Sequence, residues 1–170
     1  RRREILRQLA FLKKEVHVID GPKFVFAHIM SPHPPYVFNK NGSLAETKSD
    51  DGEWNYPEEY MNQIIYINKE IKIIVDNIIE KSRIDPIIII ESDTGPVLFE
   101  GETKMRLNIN NLRAWHLPSF DKKLLNDELT SVNIFRIIFK NYFNLNIDLI
   151  EDKVFYSDFA KEPKKIMQIR

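Results

Sequence analysis

The chain has 170 residues, enough for one domain with a real core and a stretch for two. Hydrophobic residues make up 43% and charged residues 29%; Lys plus Arg and Asp plus Glu each number 25, so zero net charge gives no electrostatic reason to expect nucleic acid or an anionic membrane as partner. With no cysteine, disulfides and thiolate metal sites are excluded, and no apolar run reaches the length of a transmembrane helix.

In chain order, residues 4 to 16 read as a helix, with Ile5, Leu9 and Leu12 at helical spacing. The basic triplet Arg1–Arg3, like Lys161–Lys165, reads as a solvated chain end. No signal peptide is visible, and the chain opens on Arg1 inside a helical pattern, as expected of a segment of something longer. Gly21-Pro22 breaks the helix, and residues 23–30 (Lys-Phe-Val-Phe-Ala-His-Ile-Met) read as a strand. Its apolar residues run consecutively rather than alternating, the pattern of a strand buried on both faces in a parallel sheet. A loop from Ser31 to about Tyr56 follows, rich in Pro, Gly, Asn, Asp and Ser; loops this long in compact domains are often functional.

Pro57, Glu58 and Glu59 suit the first turn of the next helix, whose stripe is Tyr60, Ile64, Ile67, Ile71, Ile74 and Ile78. It ends near Ser82, before Pro86. Ile87–Ile90 read as a second fully buried strand, ending in the polar turn Glu91-Ser-Asp-Thr-Gly-Pro96. Strand, helix, strand in this order predicts a right-handed βαβ crossover. Residues 97–111 read as loop, and Leu112–Leu117 as a short strand. Thr130 or Ser131 caps a helix with Val132, Phe135, Phe139 and Tyr142 as its apolar face, and Val154–Tyr156 make a last short strand. The class expected is α/β with a mostly parallel sheet that is incomplete at its N-terminal side, because two strands buried on both faces need more neighbours than this chain offers.

Two motifs sit at predicted strand ends, where open α/β sheets bind ligands. In Ser31-Pro-His-Pro-Pro-Tyr36, the prolines stiffen the backbone around His33, so the imidazole loses little entropy on meeting an anion or metal; the alternative is a rigid surface loop with an incidental histidine. In Glu91-Ser-Asp-Thr-Gly95, Asp93 can reach a metal from the scaffold, or can simply cap the turn. One crossover joins the two strands, so both motifs should share one rim of the sheet. His28 reads as a core or near-rim histidine, His17 as a surface residue, and His116 as structural; Trp54 and Tyr56 either line a cleft or pack the loop down. There is no Gly-rich phosphate loop, no Ser nucleophile elbow and no paired-His metal helix.

The ordered set of stretches resembles the sulfatase-like branch of the alkaline phosphatase superfamily, the one related to lipoteichoic acid synthases and phosphoethanolamine transferases. The stretches are residues 21–36, Tyr60–Glu80, IIIIESDTGP, LRAWHLP and SVNIFRIIFKNYF, and they cover most of the chain. The resemblance implies a three-layer α/β/α sandwich of the alkaline-phosphatase-like type, of which residues 1–170 are the C-terminal part, with 31–56 as a functional loop. It implies metal-dependent chemistry on sulfate or phosphate esters, with a Zn, Mn, Mg or Ca ion as cofactor and an anionic ester as substrate. His33 matches the family's substrate-side histidine and Asp93 its metal-binding aspartate; the nucleophile belongs to the half upstream, so this segment is expected to be inactive by itself. Location at the extracytoplasmic face of a membrane, through upstream helices, is likewise implied. The departure is Asp93-Thr94-Gly95 where the family has Asp-His-Gly: with Thr94, an oxygen set suits Mg²⁺ or Mn²⁺ better than Zn²⁺, or marks a degenerate, non-catalytic relative that binds a glycan, lipid headgroup or protein.

Overall fold

A computed structural model describes residues 1–50, 52–98, 105, 107–121, 125, 126, 128–157 and 166–169. The described elements are, in order, α1 (Arg2–Lys14), α2 (Pro57–Lys81), β1 (Ile88–Glu91), β2 (Arg113–His116), α3 (Ser131–Tyr142), β3 (Phe155–Tyr156) and β4 (Met167–Gln168). Five of the helices and strands expected from sequence, α1, α2, β1, β2 and β3, stand within two residues of their predicted limits. The basic run Lys161–Lys165 and residues 99–104 of the predicted loop lie outside the described residues.

α1 and α2 enclose the first core. Ile5 and Leu9 of α1 meet Tyr66, Ile67 and Ile74 of α2, and Phe38 enters from the intervening loop. Leu12, Ile71 and Ile78 flank this cluster, so both predicted stripes are the faces the fold buries. Each such aliphatic side chain contributes about 1.5–3 kcal/mol when fully buried. Lys13 and Glu70 form a largely shielded ion pair between the two helices. Pro57 stands in the first turn of α2 together with Glu58 and Glu59, as the dipole favours.

The strand expected at 23–30 is not formed among the described residues. Phe24 is 83% and Phe26 81% exposed, and only Ile29 packs against the first core. A β-branched and aromatic run favours an extended backbone, but a strand exists only where a second backbone takes its hydrogen bonds. No described segment does so here, and the predicted βαβ crossover therefore has no first strand. β1 also departs from expectation. It is half-exposed rather than buried on both faces, and its partner is β2, antiparallel, with Ile88 opposite His116 and Glu91 opposite Arg113. The described sheets are two antiparallel pairs, β1–β2 and β3–β4, and the parallel three-layer sandwich is not seen among the described residues. β3 falls within the predicted Val154–Tyr156 strand.

The second core lies where α3 covers the β1–β2 pair. Ile134, Ile137 and Ile138 of α3, with Leu129, pack on Ile87, Ile89, Trp115 and Leu117. This corrects the predicted helix face. Val132 is 56% and Phe135 40% exposed, while Asn133, Ile134, Ile137 and Ile138 are buried; of the predicted stripe only Tyr142 joins the core. Both stripes are apolar at helical spacing, so periodicity cannot choose between them. The choice falls to the stripe that carries Asn133, whose amide donates to the Ile150 carbonyl at 2.7 Å and accepts the Ile150 N–H at 3.1 Å. Thr130 occupies the N-cap of α3, but its side chain makes no capping bond.

The face assignment is directly testable. Ile134→Ala should cost about 2–5 kcal/mol in urea unfolding by leaving a cavity, whereas Phe135→Ser should stay within about 0.5 kcal/mol of the parent. The reverse order would return the aromatic stripe to the core.

Candidate functional site

Residues 31–56 have little regular structure, yet Pro34, Tyr36 and Phe38 are fully buried. The hairpin-like centre is closed by the Phe38–Leu44 bridge, with Ala45 N–H donating to the Val37 carbonyl at 3.2 Å. Its turn needs Gly42 on two counts: φ is +86°, and an added Cβ would lie 2.4 Å from the Tyr66 ring.

The prolines decide how this loop is held. Pro32, Pro34 and Pro35 have no N–H, so the next backbone donors after His33 are those of Tyr36 and Val37. Both are met by buried polar side chains. Ser49 Oγ accepts from Tyr36 N at 3.1 Å, and Gln63 Oε1 of α2 accepts from Val37 N at 2.8 Å. Because Oε1 faces that donor, the Gln63 NH₂ faces the other way, toward the His33 carbonyl 3.5 Å off. Further along, the Glu59 carboxylate takes the Thr47 hydroxyl at 2.6 Å and the Lys48 N–H at 3.2 Å, and Thr47 Oγ1 lies 2.7 Å from Ser49 Oγ. The first two turns of α2 therefore act as a template for the loop.

His33 is half-buried at the outer end of this arrangement. Its Nδ1 lies 2.7 Å from the Pro34 carbonyl, which can only accept, so Nδ1 carries the hydrogen there. The Arg1 guanidinium donates to the same carbonyl and lies 3.5 Å from Nδ1. The Trp54 indole packs edge-on against the imidazole, ring centres 4.9 Å apart, and the Trp54 carbonyl accepts from the Tyr36 hydroxyl at 3.3 Å. Chemically this is a corner where a guanidinium and an imidazole meet, backed by an aromatic wall. Such a corner suits an anion.

Asp93 occupies a different setting. β1 ends in a tight connection to residues 107–112: Ser92 N–H donates to the Leu112 carbonyl at 3.0 Å, and Gly95 N–H to the Asn108 carbonyl at 2.8 Å. Any Cβ at Gly95 would come 1.8 Å from the Leu107 carbonyl oxygen, so only glycine fits. Asp93 Oδ1 accepts the Thr94 N–H at 2.8 Å, the turn-capping role weighed from sequence, and both side chains are exposed. No group of three His, Asp or Glu residues capable of holding a metal ion occurs among the described residues. A single capping carboxylate beside a threonine hydroxyl is not a metal shell, so the described residues do not by themselves fit the divalent ion that the resemblance implies.

The parallel-strand scaffold expected to carry His33 and Asp93 to one rim is not the one the described residues build. His28 is exposed, not a core residue, and its carbonyl accepts Gln8 Nε2 at 3.1 Å. His17 is half-buried, with Nδ1 shielded and without a hydrogen-bond partner among the described residues. His116 ends β2 and pairs with Asp85 at 2.9 Å, and Tyr56 is the N-cap of α2. The sequence pattern assigned Ser49 and Gln63 no role, and marked Arg1 only as a chain end and Glu59 only as a helix start. For Gln63 a signal existed: it is an amide three residues from Tyr60 and four from Ile67, inside the apolar stripe.

A family model described as Sulfatase matches residues 4–133. No curated protein and no solved structure matches the chain.

Burial, then the nearby Tyr60 and Glu59, push the Tyr36 phenol up from its ordinary 10.0 to about 12. A raised value means that the folded state holds the proton more tightly than the unfolded chain. The stability from this phenol is therefore complete below pH 10 and is lost as pH rises through about 12. Ultraviolet titration of tyrosinate should show a late-ionising phenol that Tyr36→Phe removes, and the Phe variant should lose less stability than the parent above pH 10.

Proposed function

We propose, from the premise that this chain belongs to the sulfatase family, that it forms the anion-handling corner of a hydrolase or transferase acting on sulfate or phosphate esters. The observation that carries this reading is the convergence of His33 and Arg1 on the Pro34 carbonyl. With Nδ1 committed to that carbonyl, Nε2 is the ring nitrogen presented to a substrate. An N–H at Nε2 and the forked guanidinium would donate to the non-bridging oxygens of a tetrahedral ester group. Trp54 shields one side of the imidazole, and lower local polarity strengthens both contacts. The bonding pair leaves with the bridging oxygen as the ester bond breaks, so contacts to the equatorial oxygens favour reaction over mere binding only where they fit the bond-breaking geometry better than the bound ester.

We further read the chain as the C-terminal part of its domain, at the extracytoplasmic face of a membrane. The nucleophile is assigned to the rest of the protein. Sulfatases as a family generally use a divalent metal; Asp93 offers such an ion one carboxylate, with the remaining donors outside the described residues. A second reading, a non-catalytic relative that binds anionic headgroups or glycans, is favoured by one feature: the Asp93 carboxylate is turned onto the Thr94 N–H.

Two experiments separate these readings. Calorimetry with inorganic sulfate and phosphate should show binding that weakens at least about tenfold, or about 1.4 kcal/mol, in His33→Gln, with 1:1 stoichiometry and falling affinity as salt is added. Equal affinity in parent and variant would remove His33 from the site. Metal analysis and aryl-sulfate and aryl-phosphate hydrolysis by the full-length protein, with and without Asp93→Ala, test the rest. A variant with undiminished metal and rate excludes Asp93 as a ligand, and anion binding without turnover in the parent selects the non-catalytic reading.

A further inference from the structure

We propose that Gln63 is the positioning residue of this corner: its buried amide reads the backbone on both sides of Pro34-Pro35 and so aims the His33 imidazole. The inference rests on the anion-site reading above and adds the device that holds the site.

Gln63 is one of three buried polar residues among those described, and it lies on the core-facing stripe of α2 where an aliphatic residue would otherwise stand. An amide in that place costs stability unless both of its polar ends are matched. The matches it finds belong to the loop and not to its own helix: the Val37 N–H at 2.8 Å and the His33 carbonyl at 3.5 Å. These two groups flank a diproline that can donate no hydrogen bond of its own. The segment 33–37 therefore cannot be fixed by a ladder. It is fixed by a side chain from a rigid helix, where position is set to a fraction of an ångström.

The consequence reaches the imidazole through covalent geometry. The Pro34 carbonyl, which sets the orientation and tautomer of His33 and receives Arg1, lies between the two groups that Gln63 holds. Were that carbonyl free to rotate, Nδ1 would lose its acceptor and Nε2 its direction. Ser49 supports the same segment one residue earlier, at Tyr36 N, but makes no bond to the His33 side of the diproline. Gln63 thus reaches the histidine end of the segment, and Ser49 does not.

The test is the imidazole NMR spectrum of His33, assigned with His33→Gln in a chain of four histidines. In the anion-free parent, at a pH where the ring is neutral, Nδ1 should show as the protonated nitrogen. In Gln63→Met, which keeps the volume and removes both bonds, the tautomer should become mixed, and sulfate affinity should fall at least about tenfold. Ile134→Val, a change confined to the second core, should leave both readouts as in the parent, which separates positioning from general loss of stability. A folded Gln63→Met variant with the parent's His33 spectrum and sulfate affinity would overturn the proposal. If that variant does not fold, hydrogen exchange of the parent decides: a protected Val37 amide supports the role, and an amide exchanging at the rate of the exposed 23–28 segment overturns it. Should the parent bind neither sulfate nor phosphate, the functional reading fails on its own. The His33 tautomer in Gln63→Met still reports whether Gln63 aims the ring.

Discussion

A buried backbone N–H must have an acceptor, and in this protein the described segments that matter most have no strand to supply one. An unmatched buried donor costs about 1–3 kcal/mol, comparable with an entire aliphatic side chain in the core. The chain answers with amide and hydroxyl side chains placed inside its apolar faces. Gln63 and Ser49 serve Val37 and Tyr36, and Asn133 serves both polar groups of Ile150. These are the three buried polar residues of the described chain, and each ties an irregular segment to the core.

The same arrangement explains why a loop of this composition is ordered at all. Proline and glycine remove hydrogen-bond donors and loosen the backbone, which by itself argues for mobility. Here Phe38 enters the core between α1 and α2, Tyr36 is buried against Tyr60, and Glu59 collects Thr47 and Lys48 at the helix start. The tilted contact of Phe38 with Tyr66, centroids 4.7 Å apart, and the Arg2 guanidinium 5.4 Å from the Phe38 ring close the same wall. His33 and Arg1 are then held at the outer end of a rigid base rather than on a free loop. A charged corner gains most from this, since an anion that meets fixed donors pays no cost for ordering them.

Membership of the sulfatase family and the local geometry bear on different parts of the molecule. The family match spans the first core, the β1–β2 pair and both motifs, and ends in the first turn of α3. The geometry supports the two motifs unequally. The His33 motif is built in, through helix, loop and aromatic contacts, whereas Asp93 lies in an exposed turn fastened by Gly95 and the residues around Leu107. Thr94 contributes its backbone N–H to that turn and nothing else that the structure displays. The contrast between a supported histidine and a self-capped aspartate is the main chemical information this chain offers about itself.

Local patterns in the sequence determined α1 and α2, the faces they bury, the extended character of residues 88–91 and 113–116, and the special nature of the Ser31–Tyr36 stretch. These depend on neighbours within a turn or two, where periodicity, caps and proline stereochemistry act directly. Tertiary structure alone decided which partner β1 takes, that residues 23–30 lack one among the described residues, and which of two apolar stripes α3 buries. It also decided that Gln63 faces Val37 and that Arg1 meets His33 across 32 positions of chain. The reason is physical. An apolar run records that a segment prefers to be extended or buried, but pairing and facing are properties of two surfaces, and the second surface is written elsewhere in the chain.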